Sequence, residues 1–273
     1  MDIRQAAKDF FNLSSKKQGL AVMWLALVFF VAASLFNYAT QDQKFVKWLS
    51  PDETANYFFA KNFALHNSLE LEEPLNLLAD NIVHPRSFLV DNQTLKPMSF
   101  LGITLLYGQL AKIFCIGIIP YLTPFFGALG LIFFYGLVKE LFDRRIALIA
   151  TALASTLPPY FYFSSRSMFH NILFIAMALG GFYYGTLMNH RYKQTYLHRF
   201  VYPALSGLMF GWAAVTRTSE LLWLAPAIFG LWLFNIRRTG IIKLLVWLSF
   251  LALSLLPVAY QNQLLYGLPW ATG

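Results

Sequence analysis

Charge is what this 273-residue chain has least of. Lys, Arg, Asp and Glu together make up 12 % of it, with only 13 acids, against 58 % hydrophobic residues and a mean hydropathy of +0.52. Soluble domains carry roughly 25 % charged residues, so composition alone excludes a soluble globular protein. A single cysteine, Cys115, excludes an intrachain disulfide and a cysteine-built zinc site. The sequence holds no Walker A, GxGxxG, HExxH or GxSxG pattern, which leaves ATP-driven transport, dinucleotide chemistry and metalloprotease action without local support. Heptad seams, solenoid periods, low-complexity tracts and internal duplications are also missing.

What is abundant is apolar and aromatic, with 27 Phe and an aromatic share of 18 %. The run 19–38 carries no charge and, at about 1.5 Å per helical residue, spans the roughly 30 Å hydrocarbon core. Arg4, Lys8, Lys16 and Lys17 precede it, so it reads as an uncleaved first helix behind a cytoplasmic segment 1–18. Further runs lie near 119–138, 146–163, 169–188, 200–216, 219–235 and 241–260. The sequence therefore predicts an all-α polytopic membrane protein with about seven transmembrane helices. A long outer loop, 39–118, contains amphipathic surface helices, Gly102–Gly117 among them; six spans fill 119–260, and 261–273 forms an outer tail.

Basic residues test this layout, because short cytoplasmic loops collect Lys and Arg. The inner segments hold Arg4, Lys8, Lys16, Lys17, Lys139, Arg144, Arg145, Arg191, Lys193, Arg199, Arg237, Arg238 and Lys243, which is 13 of the 21 basic residues. The net charge of +8 thus encodes topology and calls for no nucleic acid. The reading places the chain in the cell (cytoplasmic) membrane with its N-terminus in the cytoplasm.

The chemistry concentrates in the long loop, which holds eight of the 13 acids. Ser50-Pro51-Asp52-Glu53-Thr54 is a helix-start pattern, with proline and two acids at the positive end of the dipole. Asp52 and Glu53 read either as caps of a surface helix or as a general base and divalent-cation ligands. Arg86 and Lys96 offer a fork and a point charge to a phosphate, or are solvated loop cations. His84, before a proline, reads as a loop residue or a ligand. Arg217 lies in a turn so short that it sits near hydrocarbon depth, where an ionisable group is by default a functional hypothesis. It binds an anion there, or pairs with Glu220 three residues on. Arg166, in the equivalent outer turn, receives the same reading. His170 and Asn171 begin an outer-leaflet helix, where they hydrogen-bond a polar ligand or a neighbouring helix. Asn92-Gln93-Thr94 is a glycosylation sequon.

These features together resemble the GT-C class of membrane glycosyltransferases, in its protein O-mannosyltransferase and aminoarabinose-transferase-like branch. The resemblance rests on one helix, an outer loop opening with Asp52-Glu53-x-x-x-Tyr57, Lys96-Pro97 before a surface helix ending near Ile113-Phe114-Cys115, and paired apolar helices. Leu141-Phe142-Asp143-Arg144-Arg145 and Tyr266-Gly267-Leu268-Pro269 add to it. The class pattern departs at Lys96-Pro97-Met98-Ser99, which lacks a second proline, and at Ile113-Phe114-Cys115, where its glycine is displaced. Many relatives carry a further acid in the second outer turn, where this chain reads Ser165-Arg166-Ser167-Met168-Phe169-His170-Asn171.

The resemblance implies transfer of a sugar from a polyprenyl-phosphate carrier to an acceptor hydroxyl on the outer face. Asp52 would be the base and Glu53 would orient it, the two also holding a divalent cation, Mg or Mn. Arg217, Arg86, Lys96 and Arg166 would hold the phosphate, and Tyr57, His84, His170 and Asn171 the sugar or acceptor. The implied partners are a lipid-linked donor, membrane lipids and no nucleic acid. Relatives continue past the point corresponding to Gly273, so a non-catalytic membrane subunit, or a split enzyme with a second membrane subunit, is a rival expectation, as is a lipid or solute transporter.

Overall fold

The computed structural model describes residues 15–40, 48, 50–82, 84–98, 100–166, 168–189 and 195–271. Arg4, Lys8, Arg191 and Lys193 of the predicted inner segments fall outside the described residues, as do Ser99 and Ser167 of the quoted motifs.

The architecture is helical and polytopic. Helix α1 (Ser15–Thr40) is followed by α2 (Pro51–His66), a small sheet of β1 (Leu71–Glu72), β2 (Phe88–Asp91) and β3 (Thr94–Pro97), and α3 (Leu101–Ile113). The bundle continues with α4 (Ile119–Leu141), α5 (Arg144–Thr156), α6 (Pro158–Ser165), α7 (His170–Met188), a π-helical turn (Leu197–Val201), α8 (Tyr202–Thr216) and α9 (Leu221–Tyr266).

Among the described residues, four helical stretches are long and apolar enough to cross a membrane: 17–40, 116–141, 170–188 and 239–266. Run 146–163 is no straight span, because α5 and α6 meet at 61° where Pro158 ends the first helix at Leu157. Counted as one span, the pair makes five. Runs 200–216 and 219–235 are helical too, but α8 has only 15 residues, about 22 Å at the usual rise. Gly240, at φ +66°, breaks α9 into two legs, and Trp232 and Trp247 meet across them at 5.3 Å. Burial orders the layers. Of the best windows of 116–141 and 170–188, 56 % is buried, against 22 % for 17–40 and 239–266, so the last two form the lipid-facing rim.

Close approach of α8 to the second leg of α9 is set by Gly207 and Gly211. A Cβ at Gly207 would lie 2.2 Å from the Trp247 carbonyl oxygen, and one at Gly211 1.9 Å from Ser254 Oγ. In lipid, where apolar surface gains nothing by leaving solvent, such small residues four apart are what let backbones pack.

The first loop differs from expectation in two ways. It contains a three-stranded antiparallel sheet in the order β1-β3-β2, whose hairpin turns at Asn92-Gln93, the sequon, with Asn92 in the left-handed region. Helix α3 is also packed more deeply than a helix resting on the surface. Leu101 to Leu105, Tyr107, Gly108 and Ala111 are all buried against α2 and the bundle, leaving Gln109, Lys112 and Ile113 exposed.

Candidate active site

The acid pair heads α2 as its sequence demands. Ser50 caps the helix, its Oγ accepting from the Glu53 amide at 3.3 Å while Glu53 Oε2 accepts from the Ser50 amide at 3.1 Å, a reciprocal capping box. From there the two acids part. Glu53 is 1 % exposed and takes a bidentate pair from Arg166, whose Nε donates to Oε1 at 3.2 Å and whose Nη2 donates to Oε2. Asp52 is exposed, and its Oδ1 accepts from the Ser87 hydroxyl.

Arg166 sits in the α6–α7 turn among aromatic rings. Its guanidinium lies 5.4 Å from the Tyr162 ring centroid and 5.0 Å from that of Phe169, and donates to the Tyr162 hydroxyl. Burial pulls its pKa down, but Glu53 outweighs this and holds it above the ordinary arginine value. The turn itself is strained, with buried Met168 at φ +65°. Its carbonyl accepts from Asn56 Nδ2 at 2.9 Å and its amide donates to Thr123 Oγ1 at 3.3 Å, which in turn bonds the Tyr107 hydroxyl at 2.9 Å. Asn56 also receives Thr104 Oγ1 at 3.4 Å and lies 3.4 Å from His170 Nε2. This buried network fixes α2, α3, α4 and the turn relative to one another.

A second arginine completes the same end of the bundle. Arg217, in the α8–α9 turn, donates from Nη1 to Asn171 Oδ1 at 2.6 Å and pairs through Nη2 with Glu220 at 3.0 Å. Its side chain keeps 30 % of its surface. Arg217, Asn171 and Glu220 form the polar rim of a cavity of about 490 Å3, whose walls include Leu157, Phe163, Ile175 and Trp223. His170 lies between the two halves: it is 3.4 Å from Asn56 Nδ2, meets the Phe100 ring edge-on at 5.8 Å, and precedes Asn171, which holds Arg217.

Residues 103–260 match the family described as dolichyl-phosphate-mannose-protein mannosyltransferase. That is more than half of the chain. The chain belongs to this family of GT-C glycosyltransferases. The fold is also similar to the crystal structure of the Archaeoglobus fulgidus oligosaccharyltransferase in its apo form, with a TM-score of 0.66 at 18 % identity. The similarity covers 90 % of this chain and 30 % of the archaeal one, so the chain spans about a third of that protein's length. No curated protein matches the chain in sequence.

Within this mannosyltransferase-family frame, the predicted site residues divide. Asp52, Glu53, Arg166, His170, Asn171 and Arg217 lie at one end of the bundle. Lys96 does not join them as a free phosphate ligand: its Nζ is 2.8 Å from Asp91 Oδ2 and 3.9 Å from Glu70 Oε1, locked onto its own sheet. Arg86 is exposed in the turn that delivers Ser87 to Asp52. His84 is exposed and lies 3.0 Å from the Pro85 carbonyl. Tyr57 packs on Trp48 at 5.1 Å, and burial pushes its phenol pKa up, so it is a neutral hydroxyl.

As a cation site, the acid pair does not fit the expectation. Both Glu53 oxygens are taken by a guanidinium and a backbone amide, and among the described residues no group of three or more His, Cys, Asp or Glu is placed to hold a metal. Sequence reasoning missed Ser87, Asn56 and Thr104. Asn56 left a signal, one polar residue a turn after Glu53 on an otherwise apolar helix face. Ser87 left none, being 35 residues from its partner. Two motif remnants quoted for the family do meet: the Tyr266 hydroxyl donates to the Pro97 carbonyl.

Proposed function

We propose that this protein transfers a sugar from a polyprenyl-phosphate carrier to an acceptor hydroxyl at the outer face of the cell membrane, its N-terminus lying in the cytoplasm. The observation that carries this reading is an exposed carboxylate, Asp52 held by Ser87, at the same end of the bundle as an arginine, Arg217 held by Asn171, that lines an apolar cavity. Such a cavity suits a prenyl chain with its charged phosphate at the rim.

In this mechanism the acceptor hydroxyl attacks the anomeric carbon and the carbon–oxygen bond to the phosphate breaks. Asp52 takes the hydroxyl proton on Oδ2, while Ser87 holds Oδ1 and fixes the carboxylate's direction. Arg217 meets the charge that grows on the leaving lipid phosphate, where a preorganised donor acts most strongly. Asn171 holds the guanidinium in place, and His170 stands beside the reacting sugar. Arg86 is an accessory phosphate contact from the loop, and Tyr57 and His84 are secondary acceptor contacts.

Membranes containing the chain, supplied with radiolabelled polyprenyl-phosphate sugars, test this directly. Transfer should fall roughly 10²–10⁴-fold in Asp52→Asn, the usual worth of a positioned base. Undiminished transfer in that variant would remove Asp52 from the chemistry, and wild-type membranes inert toward every donor would overturn the activity.

A further inference from the structure

The α6–α7 turn puts a permanent cation where an acid pair would otherwise be open to a metal. We propose that Arg166 is the built-in counter-ion of this site, that it closes the Asp52–Glu53 pair to divalent cations, and that it leaves Asp52 to act as a single carboxylate. Two oxygens of Glu53 receive two guanidinium N–H groups and the Ser50 amide, on a side chain 1 % exposed. A divalent ion reaching that carboxylate would have to displace a bidentate fork and then sit against a positive group it cannot expel. The fork is clamped from behind by the Tyr162 hydroxyl and the Phe169 face. Nearby, Asp52 is held by Ser87, which brings a hydroxyl rather than a charge, and Arg217 adds a second guanidinium held by Asn171. The donor set is that of an anion-facing site, short of the several oxygen ligands that Mg or Mn requires. Arg166 is thus a positioning residue: it touches Glu53, and through Glu53 sets the start of α2 and the direction of Asp52.

The inference concerns the site named in the transfer reading, but it is read by ion binding without donor or acceptor, so the two fail separately. The probe is Mn alone, titrated into the purified full chain in detergent and followed by the electron paramagnetic resonance of the free ion. Wild-type protein should bind no stoichiometric Mn up to about 1 mM, the weak end for oxygen-ligand sites. Arg166→Gln frees a carboxylate beside Asp52 and should bind one Mn roughly tenfold tighter or more than wild type, as an added ligand charge does. Arg166→Lys keeps the charge and should stay like wild type. One tight Mn in wild-type protein, lost in Asp52→Asn, would overturn the proposal outright. A folded Arg166→Gln protein with no gain in Mn binding would overturn the assignment of the exclusion to Arg166. Should Arg166→Gln fail to fold, Arg166→Met, which likewise removes the charge, takes its place, and one tight Mn in wild-type protein still overturns the proposal.

Discussion

Two short turns at one end of the bundle each carry an arginine paired with a glutamate, and burial gives them different work. The Arg166–Glu53 pair joins elements 113 residues apart, with side chains 11 % and 1 % exposed, and both glutamate oxygens are engaged. The Arg217–Glu220 pair is local, three residues apart, with side chains 30 % and 26 % exposed at a cavity mouth. A buried pair cannot be opened without stranding a charge, whereas a half-exposed one exchanges partners at little cost. The same two residue types therefore make a strut in one turn and an available cation in the other.

The largest expected effect is on the strut. Arg166→Ala leaves Glu53 buried and unpaired, and should lower stability by roughly 3–5 kcal/mol, read as the unfolding midpoint in detergent. Glu53→Gln combined with Arg166→Gln should recover much of that loss, and the double-mutant cycle measures the coupling. Arg217→Ala should instead change stability by no more than about 1 kcal/mol. Transfer from a lipid-phosphate donor should drop roughly 10²–10³-fold in that variant, the cost of a lost transition-state donor. Equal destabilisation by the two alanine variants would break the comparison. Asn56→Ala leaves the Met168 carbonyl and the Thr104 hydroxyl without their partner and should cost roughly 1–3 kcal/mol. The smallest effect belongs to Glu220→Gln, within about 1 kcal/mol in stability, with donor binding strengthened because Arg217 loses its competitor.

Much of this was legible from local pattern. The capping box at Ser50 and Glu53 is a four-residue signal, and the structure forms it in full. Apolar runs located the helices, since a chain in lipid must satisfy its backbone within each segment. The break at Leu157-Pro158 and the short α8 were not read, because a run's hydropathy reports composition and not straightness. The sheet 71–97 was passed over because its strands have two to four residues, too few for a period-two pattern to rise above the loop. Lys96 was read as available because Glu70 and Asp91 become its neighbours only through strand pairing.

Sequence by itself determined that this protein lives in a membrane, where its apolar helical stretches lie, and that acids and arginines gather in loops and turns beside them. Those are consequences of hydropathy, capping and charge, all of which act over a few residues. Tertiary structure alone decided which acid is spent and which is free. Glu53 and Asp52 are adjacent on one helix turn with identical charge, and only the long-range placement of Arg166 against one and Ser87 against the other separates a buried anchor from an exposed carboxylate.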